Sequence, residues 1–273
     1  MEETLRLLAV LAHPDDEAMG LGGTLARYAA EGVETFLVTA TRGERGWTGP
    51  PEADPGPVAL GAIREAELRA SAAVLGIRAV TLLDYVDGDL DRADPAVIVG
   101  DLVAHLRAVR PQVVVTFGPD GAYGHPDHIA ICQFTTAAVV AAADASYAVP
   151  GAAPPHRVTK LYYYVLTAPV AAAFRDAFGE QVMAVDGIER EPSPWPEWAI
   201  TTRDASAAYW RTAWAAVACH RSQLPMYETL AALPPEAHTA LWASPIYYRA
   251  FSLVNGGRAV ETDLFAGLRS NGG

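Results

Sequence analysis

Two short motifs, His13-Pro14-Asp15-Asp16 and His125-Pro126-Asp127-His128, concentrate the side chains of this 273-residue chain that could do chemistry. Each opens with the same three residues and each follows an apolar, β-branched-rich run. The runs are Leu5–Ala12 and Val113–Phe117, the second continued by a Gly/Pro-rich turn. In an α/β fold the loops leaving the carboxyl ends of strands are where ligands bind. Two His/Asp clusters delivered by two such loops can therefore meet over one cleft. A site of that kind holds a divalent metal through two imidazoles and one carboxylate, with further carboxylates and imidazoles left for proton transfer.

The elements that would position these motifs read as alternating strands and helices. Leu5–Ala12 is short, nearly all apolar and ends at a proline, as a buried strand does. Residues 16–31 carry Leu21, Leu25 and Tyr28 at helical spacing and stop at Gly32. Glu34–Thr41 is a second strand. Residues 42–57, rich in glycine and proline, form a loop long enough to expect a functional role, and it leaves a strand at the face of the two motifs. Residues 58–75 are an Ala-rich helix ended by Gly76, Val80–Leu83 a third strand, Asp94–Val109 a helix, Val113–Phe117 the fourth strand and Asp127–Asp144 the helix after it.

Four βα units in succession predict a Rossmann-like, mostly parallel sheet flanked by helices on both faces. After the Pro/Ala-rich stretch 148–155 the alternation fades. Leu161–Leu166 suggests a further strand, residues 204–218 an Ala/Trp-rich helix, Pro192–Pro196 a rigid loop and Tyr247–Val254 an edge strand. The expectation is one domain over 1–273, with a βα core in 1–145 that carries the motifs and a C-terminal extension in 146–273 that walls the cleft.

Composition narrows the partners. Half-apolar and of this length, the chain buries a sizeable core. A net charge of −12, with no basic run, argues against nucleic acid. Cys132 and Cys219 lie in apolar, helix-like contexts and read as buried thiols. The acidic start Met1-Glu2-Glu3 is unlike a signal peptide, and no segment is long enough to span a bilayer, so a cytoplasmic setting is expected. A homo-oligomer stays open.

Ala12-His13-Pro14-Asp15-Asp16-Glu17 and Tyr123-Gly124-His125-Pro126-Asp127-His128 resemble the two signatures of the LmbE/PIG-L family of zinc-dependent N-deacetylases. Thr41-Arg42-Gly43-Glu44, Arg64-Glu65 with Leu68, Asp87-Gly88 and His220-Arg221-Ser222-Gln223 follow in the family's order. The likeness is to the branch with the deacetylases of mycothiol and bacillithiol synthesis and the mycothiol conjugate amidase. It implies removal of an N-acetyl group from an N-acetylglucosaminyl-type conjugate, with a small amino-sugar substrate. It also implies His13, Asp16 and His128 as ligands of Zn2+, a set that ferrous iron (Fe2+) can share.

The spacing is compatible: His13 and Asp16 flank one turn, and His128 opens a different helix. The family assigns Asp15 as general base and gives His125 a role in stabilising the oxyanion or protonating the leaving amine. The neighbouring carboxylates are expected to keep that imidazole protonated near neutrality. Tyr123 could offer its hydroxyl to the oxyanion and Asp127 could orient one imidazole. Arg42, Glu44, Arg64 and Asp87 are candidate substrate contacts. For each a plainer reading exists: a solvated pair for Arg42 and Glu44, surface charge for Arg64, a turn for Asp87. His220 reads as a satisfied histidine at a helix end.

Either His-Pro-Asp alone is an ordinary turn, with proline fixing φ and aspartate capping the next helix. Both together, at strand ends, favour a site. Gly20-Leu21-Gly22-Gly23 resembles a dinucleotide loop, but phosphate there would meet Asp15, Asp16 and Glu17. Cleavage of a larger amide, a two-His-one-carboxylate oxygenase, and a non-catalytic metal- or sugar-binding protein are the competing readings. The βα alternation opposes the oxygenase.

Overall fold

The structure is a computed structural model that describes residues 4–179, 183–185, 188–190, 193–224, 227–257 and 259–269. In chain order the elements are β1 (Arg6–Leu11), α1 (Asp16–Met19), α2 (Gly22–Ala30), β2 (Glu34–Thr41), α3 (Pro57–Leu75), β3 (Ala79–Tyr85), α4 (Pro95–Val109), β4 (Val113–Phe117), α5 (Gly121–Gly124) and α6 (Pro126–Ala143). There follow β5 (Lys160–Val165), α7 (Ala168–Phe178), β6 (Met183–Val185), β7 (Ile188–Arg190), β8 (Thr202–Arg203), α8 (Trp210–Val217), α9 (Tyr227–Ala231), α10 (Pro235–Trp242) and β9 (Ile246–Ser252).

Seven strands form one sheet in the order β3-β2-β1-β4-β5-β9-β8. The first five are parallel, and β9 and β8 are antiparallel additions. The chain moves outward from β1 to β2 and β3, then returns to place β4 against the other side of β1 (Leu7↔Val113 to Ala9↔Val115). The strand order therefore reverses between β1 and β4, the two strands that precede the two motifs. In open α/β sheets that crevice is where ligands bind. All of β4 and nearly all of β1 are buried, as the continuous apolar runs require of strands covered on both faces.

Helix boundaries follow local chemistry. Pro57, Pro95 and Pro126 stand at the first turn of α3, α4 and α6, where the missing N–H costs nothing. Asp94 caps α4 by accepting from Ala96 N (2.8 Å), and Gly76 ends α3 in the left-handed region at φ 73°. The segment 16–31 is two helices rather than the single one expected. The chain breaks at Gly20, where a Cβ would press on Asp16 O (3.1 Å) and the Tyr164 ring (3.2 Å). Gly22 and Gly23 serve packing. A Cβ on Gly23 would lie 2.6 Å from Ala243 Cα, and one on Gly22 3.1 Å from Ala213 Cβ, so glycine lets α2 sit close on the C-terminal helices.

Residues beyond 145 continue the sheet through β5, β9 and β8. The segment expected as an edge strand, β9, pairs on both sides, and the two-residue β8 lies outside it. Helix α8 packs on α1, α2 and α3. It begins at Trp210, later than the expected 204, after a 3-10 turn at Ala207–Tyr209. Residue 192 of the expected rigid loop Pro192–Pro196 lies outside the described residues. Cys132 is buried and Cys219 half-buried, and both are free thiols.

Candidate metal centre

β1 delivers His13 and β4 delivers His125 and His128 to one point, although 115 residues separate His13 from His128. His13 Nδ1 lies 3.2 Å from His128 Nε2, and Asp16 closes the group with Oδ1 3.4 Å from His128 Nε2 and Oδ2 3.7 Å from His13 Nδ1. In a tetrahedral site with bonds of about 2.1 Å, ligand atoms stand about 3.4 Å apart. The three separations scatter around that value, and all three residues are buried. Two imidazole nitrogens facing each other at 3.2 Å repel unless a proton or a cation lies between them.

The remaining contacts orient the rings. His13 Nε2 is 3.1 Å from Asp127 Oδ2 and 3.2 Å from Asp87 Oδ1, which assigns its N–H to the carboxylates and leaves Nδ1 as the lone-pair side. Asp127 is itself held by the N–H groups of Gly88 (2.7 Å) and Leu90 (3.1 Å), and Asp87 by that of Arg45 (3.0 Å). His128 is stacked on Phe117 with ring centroids 3.8 Å apart and planes 6° from parallel. Asp16 Oδ2 accepts from the backbone N–H of Ala12 (3.2 Å) and His13 (2.8 Å), which ties the ligand to the strand end.

The electrostatics ask for positive charge. Burial pulls the His13 pKa down, but Asp127, Asp87 and Asp16 overcome it and raise it to about 10. Burial pushes Asp16 up, and His128 and His13 more than reverse this, holding it well below the usual carboxylate range. Asp87 is likewise lowered to about 2, its burial outweighed by His13.

Asp15 stands beside this group in a rare backbone state, φ 114°, which only a few residue types tolerate and which costs of order 1–3 kcal/mol. Its N–H donates to Glu17 Oε2 (3.0 Å), and its carboxylate accepts from Arg64 Nη2 (3.1 Å). Burial raises its pKa to about 6, with Asp16 adding to the rise and Arg64, His220 and His13 opposing it.

Arg64 is buried, with Nη2 also on Pro14 O (2.5 Å) and Nη1 on Gly43 O (2.9 Å). A Cβ at Gly43 or Gly46 would collide with the guanidinium, so the glycines of this loop make room for it.

The second motif differs from its sequence reading at His125. Its Nδ1 accepts from Asp127 N (3.1 Å), so the histidine, and not the aspartate, caps α6. The ring was expected to be held protonated by carboxylates. Instead burial, followed by the charges of His128 and His13, lowers its pKa to about 3 against Asp127 and Asp16. His125 is thus a neutral ring with Nε2–H as its donor. Tyr123 meets His128 edge-on at 5.3 Å, and its hydroxyl has no partner among the described residues. It follows Ala122, held at φ 64°. Burial, with Asp16 and Asp15 nearby, raises the phenol above its ordinary pKa.

Arg42 pairs with Glu65 and with Asp84 (3.0 Å), half-exposed. Glu44 Oε1 accepts from Asp87 N (3.0 Å), while its Oε2 is buried without a partner among the described residues. The structure brings Asp87 and Arg64 onto His13 and Asp15, contacts that sequence spacing does not show. Glu17, which closes the first signature but has no catalytic or binding role assigned to it, is fully buried against Ser71 Oγ (2.5 Å) and His220 Nε2 (2.7 Å).

Residues 8–139 match the family described as PIG-L, GlcNAc-PI de-N-acetylase. A Streptomyces avermitilis protein named 1D-myo-inositol 2-acetamido-2-deoxy-alpha-D-glucopyranoside deacetylase is 35% identical over 96% of this chain and 97% of its own length. The crystal structure of conserved protein TT1542 from Thermus thermophilus superposes with a TM-score of 0.64 at 28% identity, covering 93% of this chain and 98% of that one. The fold alone does not set the reaction. The 4-carboxy-2-hydroxymuconate hydratase from Pseudomonas putida KT2440 superposes with a TM-score of 0.69 at 20% identity, over 94% of this chain and 100% of the other. Sequence identity along nearly the whole of a deacetylase, with both signature motifs at one crevice, establishes that this chain belongs to the PIG-L family of deacetylases.

Proposed function

We propose that this protein removes the acetyl group from a 2-acetamido-2-deoxyglucopyranoside conjugate, with one zinc ion held by His13, Asp16 and His128. The observation that carries this reading is the convergence of those three donors, at separations suited to one ion, beside a second carboxylate that is not one of them. When bound, such an ion supplies Lewis acidity, lowering the pKa of water and polarising a carbonyl oxygen. The relatives of this name act on an inositol glycoside of that sugar, a small neutral molecule suited to an acidic chain of net charge −12. Residues 1–145 supply the centre and the later elements its wall. No described helix is long and apolar enough to cross a membrane, and the two free thiols favour a cytoplasmic setting.

In this account Asp15 takes the proton of the attacking water and returns it to the amine nitrogen as the C–N bond breaks, and Arg64 aims its carboxylate. The Nε2–H of neutral His125 and the free Tyr123 hydroxyl donate to the oxygen on which charge develops. Asp127 and Asp87 keep His13 in the tautomer that leaves Nδ1 unprotonated. Arg42 and Glu44 remain candidates for contacts to the sugar.

Release of acetate, measured beside release of a bulkier acyl group from the same amino sugar, tests the reading. Acetate release as the faster reaction supports it. Faster cleavage of the larger amide would make the chain an amidase instead.

The pH profile tests the assignment of Asp15. The base works only when ionised, so kcat/KM should rise with pH through about 6. Because His125 is neutral throughout that range, His125→Ala should lower the rate without moving this rise. An acid limb that persists unchanged in Asp15→Asn would place the titrating base elsewhere.

A further inference from the structure

His220, the first residue of the His220-Arg221-Ser222-Gln223 segment that follows α8, is wholly buried and has no part in the chemistry described so far. Its Nε2 lies 2.7 Å from Glu17 Oε1, which also accepts from Ser71 Oγ of α3 at 2.5 Å. The other oxygen, Glu17 Oε2, accepts from Asp15 N at 3.0 Å. Glu17 is 0% exposed, so its carboxylate has protein groups as its partners on both oxygens.

This matters because Asp15 sits at φ 114°, a backbone state that persists only where the surroundings over-determine it. Arg64 restrains the Asp15 carboxylate and the Pro14 carbonyl, and Glu17 restrains the Asp15 backbone N–H. Glu17 in turn is fixed by His220 and Ser71. The rest of the segment locks the same region. Ser222 N and Oγ donate to Glu67 of α3 (2.8 and 2.6 Å), and Gln223 Nε2 donates to Gly46 O (2.9 Å) in the loop that makes room for Arg64. Both restraints on Asp15 therefore lead back to residues 220–223.

We propose that His220 is a positioning residue: through Glu17 it fixes the strained backbone of Asp15, and with it the direction of the Asp15 carboxylate. The proposal rests on the reading of Asp15 as the base of a deacetylase. Losing the contact frees the Glu17 carboxylate to turn, and Asp15 then relaxes from φ 114°.

The test compares His220→Gln, whose amide nitrogen reaches the position of Nε2, with His220→Asn, which is polar but too short to reach Glu17. Acetate release from the 2-acetamido sugar, zinc content and melting temperature are measured for both and for the wild type. A misplacement on the order of 1 Å can cost about a hundredfold in rate. His220→Asn should accordingly lose about a hundredfold in kcat, with KM within about threefold of wild type and zinc retained. His220→Gln should recover to within about fivefold of wild type by the same reasoning. The proposal is overturned if His220→Asn keeps wild-type kcat, or if Gln does no better than Asn. It is equally overturned if the loss merely tracks lost zinc or a failure to fold, which would make His220 structural. A wild-type chain that binds zinc and releases no acetate overturns the deacetylase reading, and this inference with it.

Discussion

Asp15→Asn is expected to keep its metal and its fold and to lose turnover by about 10²–10⁴-fold, the usual contribution of a positioned general base. The substitution is chosen for its geometry. Asn is isosteric with Asp and is among the few residues that tolerate positive φ, so the backbone at φ 114° is preserved. The side-chain oxygen can still accept from Arg64, and the N–H can still donate to Glu17. What disappears is the ability to take a proton. Steady-state kinetics beside elemental analysis separates the two properties. Near-normal turnover with full zinc would remove Asp15 from the chemistry.

His128→Ala should fail in the opposite order. It deletes the nitrogen that stands 3.2 Å from His13 Nδ1 and 3.4 Å from Asp16 Oδ1, leaving two donors of three. Partners that only orient a ligand already cost about 10–100-fold in affinity when lost, so removal of a ligand itself should exceed about a hundredfold. Activity should fall with metal occupancy and return in part at high zinc. Retention of stoichiometric zinc after extensive dialysis would exclude His128 from the ligand set. The lost stack on Phe117 also costs some stability, so circular dichroism should accompany the measurement.

The strands β1, β2 and β4 and the helices α3, α4 and α6 could be read directly from the chain. Buried parallel strands are continuous apolar runs, Pro stands at the first turn of all three helices, and Gly76 ends α3. The two motifs were legible for the same reason, since each sits where a run stops. Asp87 and Arg64 were visible only as charged residues at element ends. Their contacts with His13 and Asp15 depend on β3 and α3 lying beside the crevice, which no local pattern encodes. Glu17 and His220 are 203 residues apart and meet only after α8 packs on α1.

The ionisation of His125 was misread because composition counts neighbouring carboxylates. The sign depends instead on burial and on which imidazoles lie closer. The later strands were harder still, because antiparallel β9 follows three helices, and its outer partner β8 is only two residues long.

The most direct test of the account is to strip the protein of metal and titrate zinc back while following acetate release from the 2-acetamido-2-deoxyglucopyranoside. The account predicts no release without metal and a linear rise that saturates at one ion per chain, with His128→Ala failing to saturate at that ratio. Full acetate release from protein shown by elemental analysis to hold no metal would contradict it.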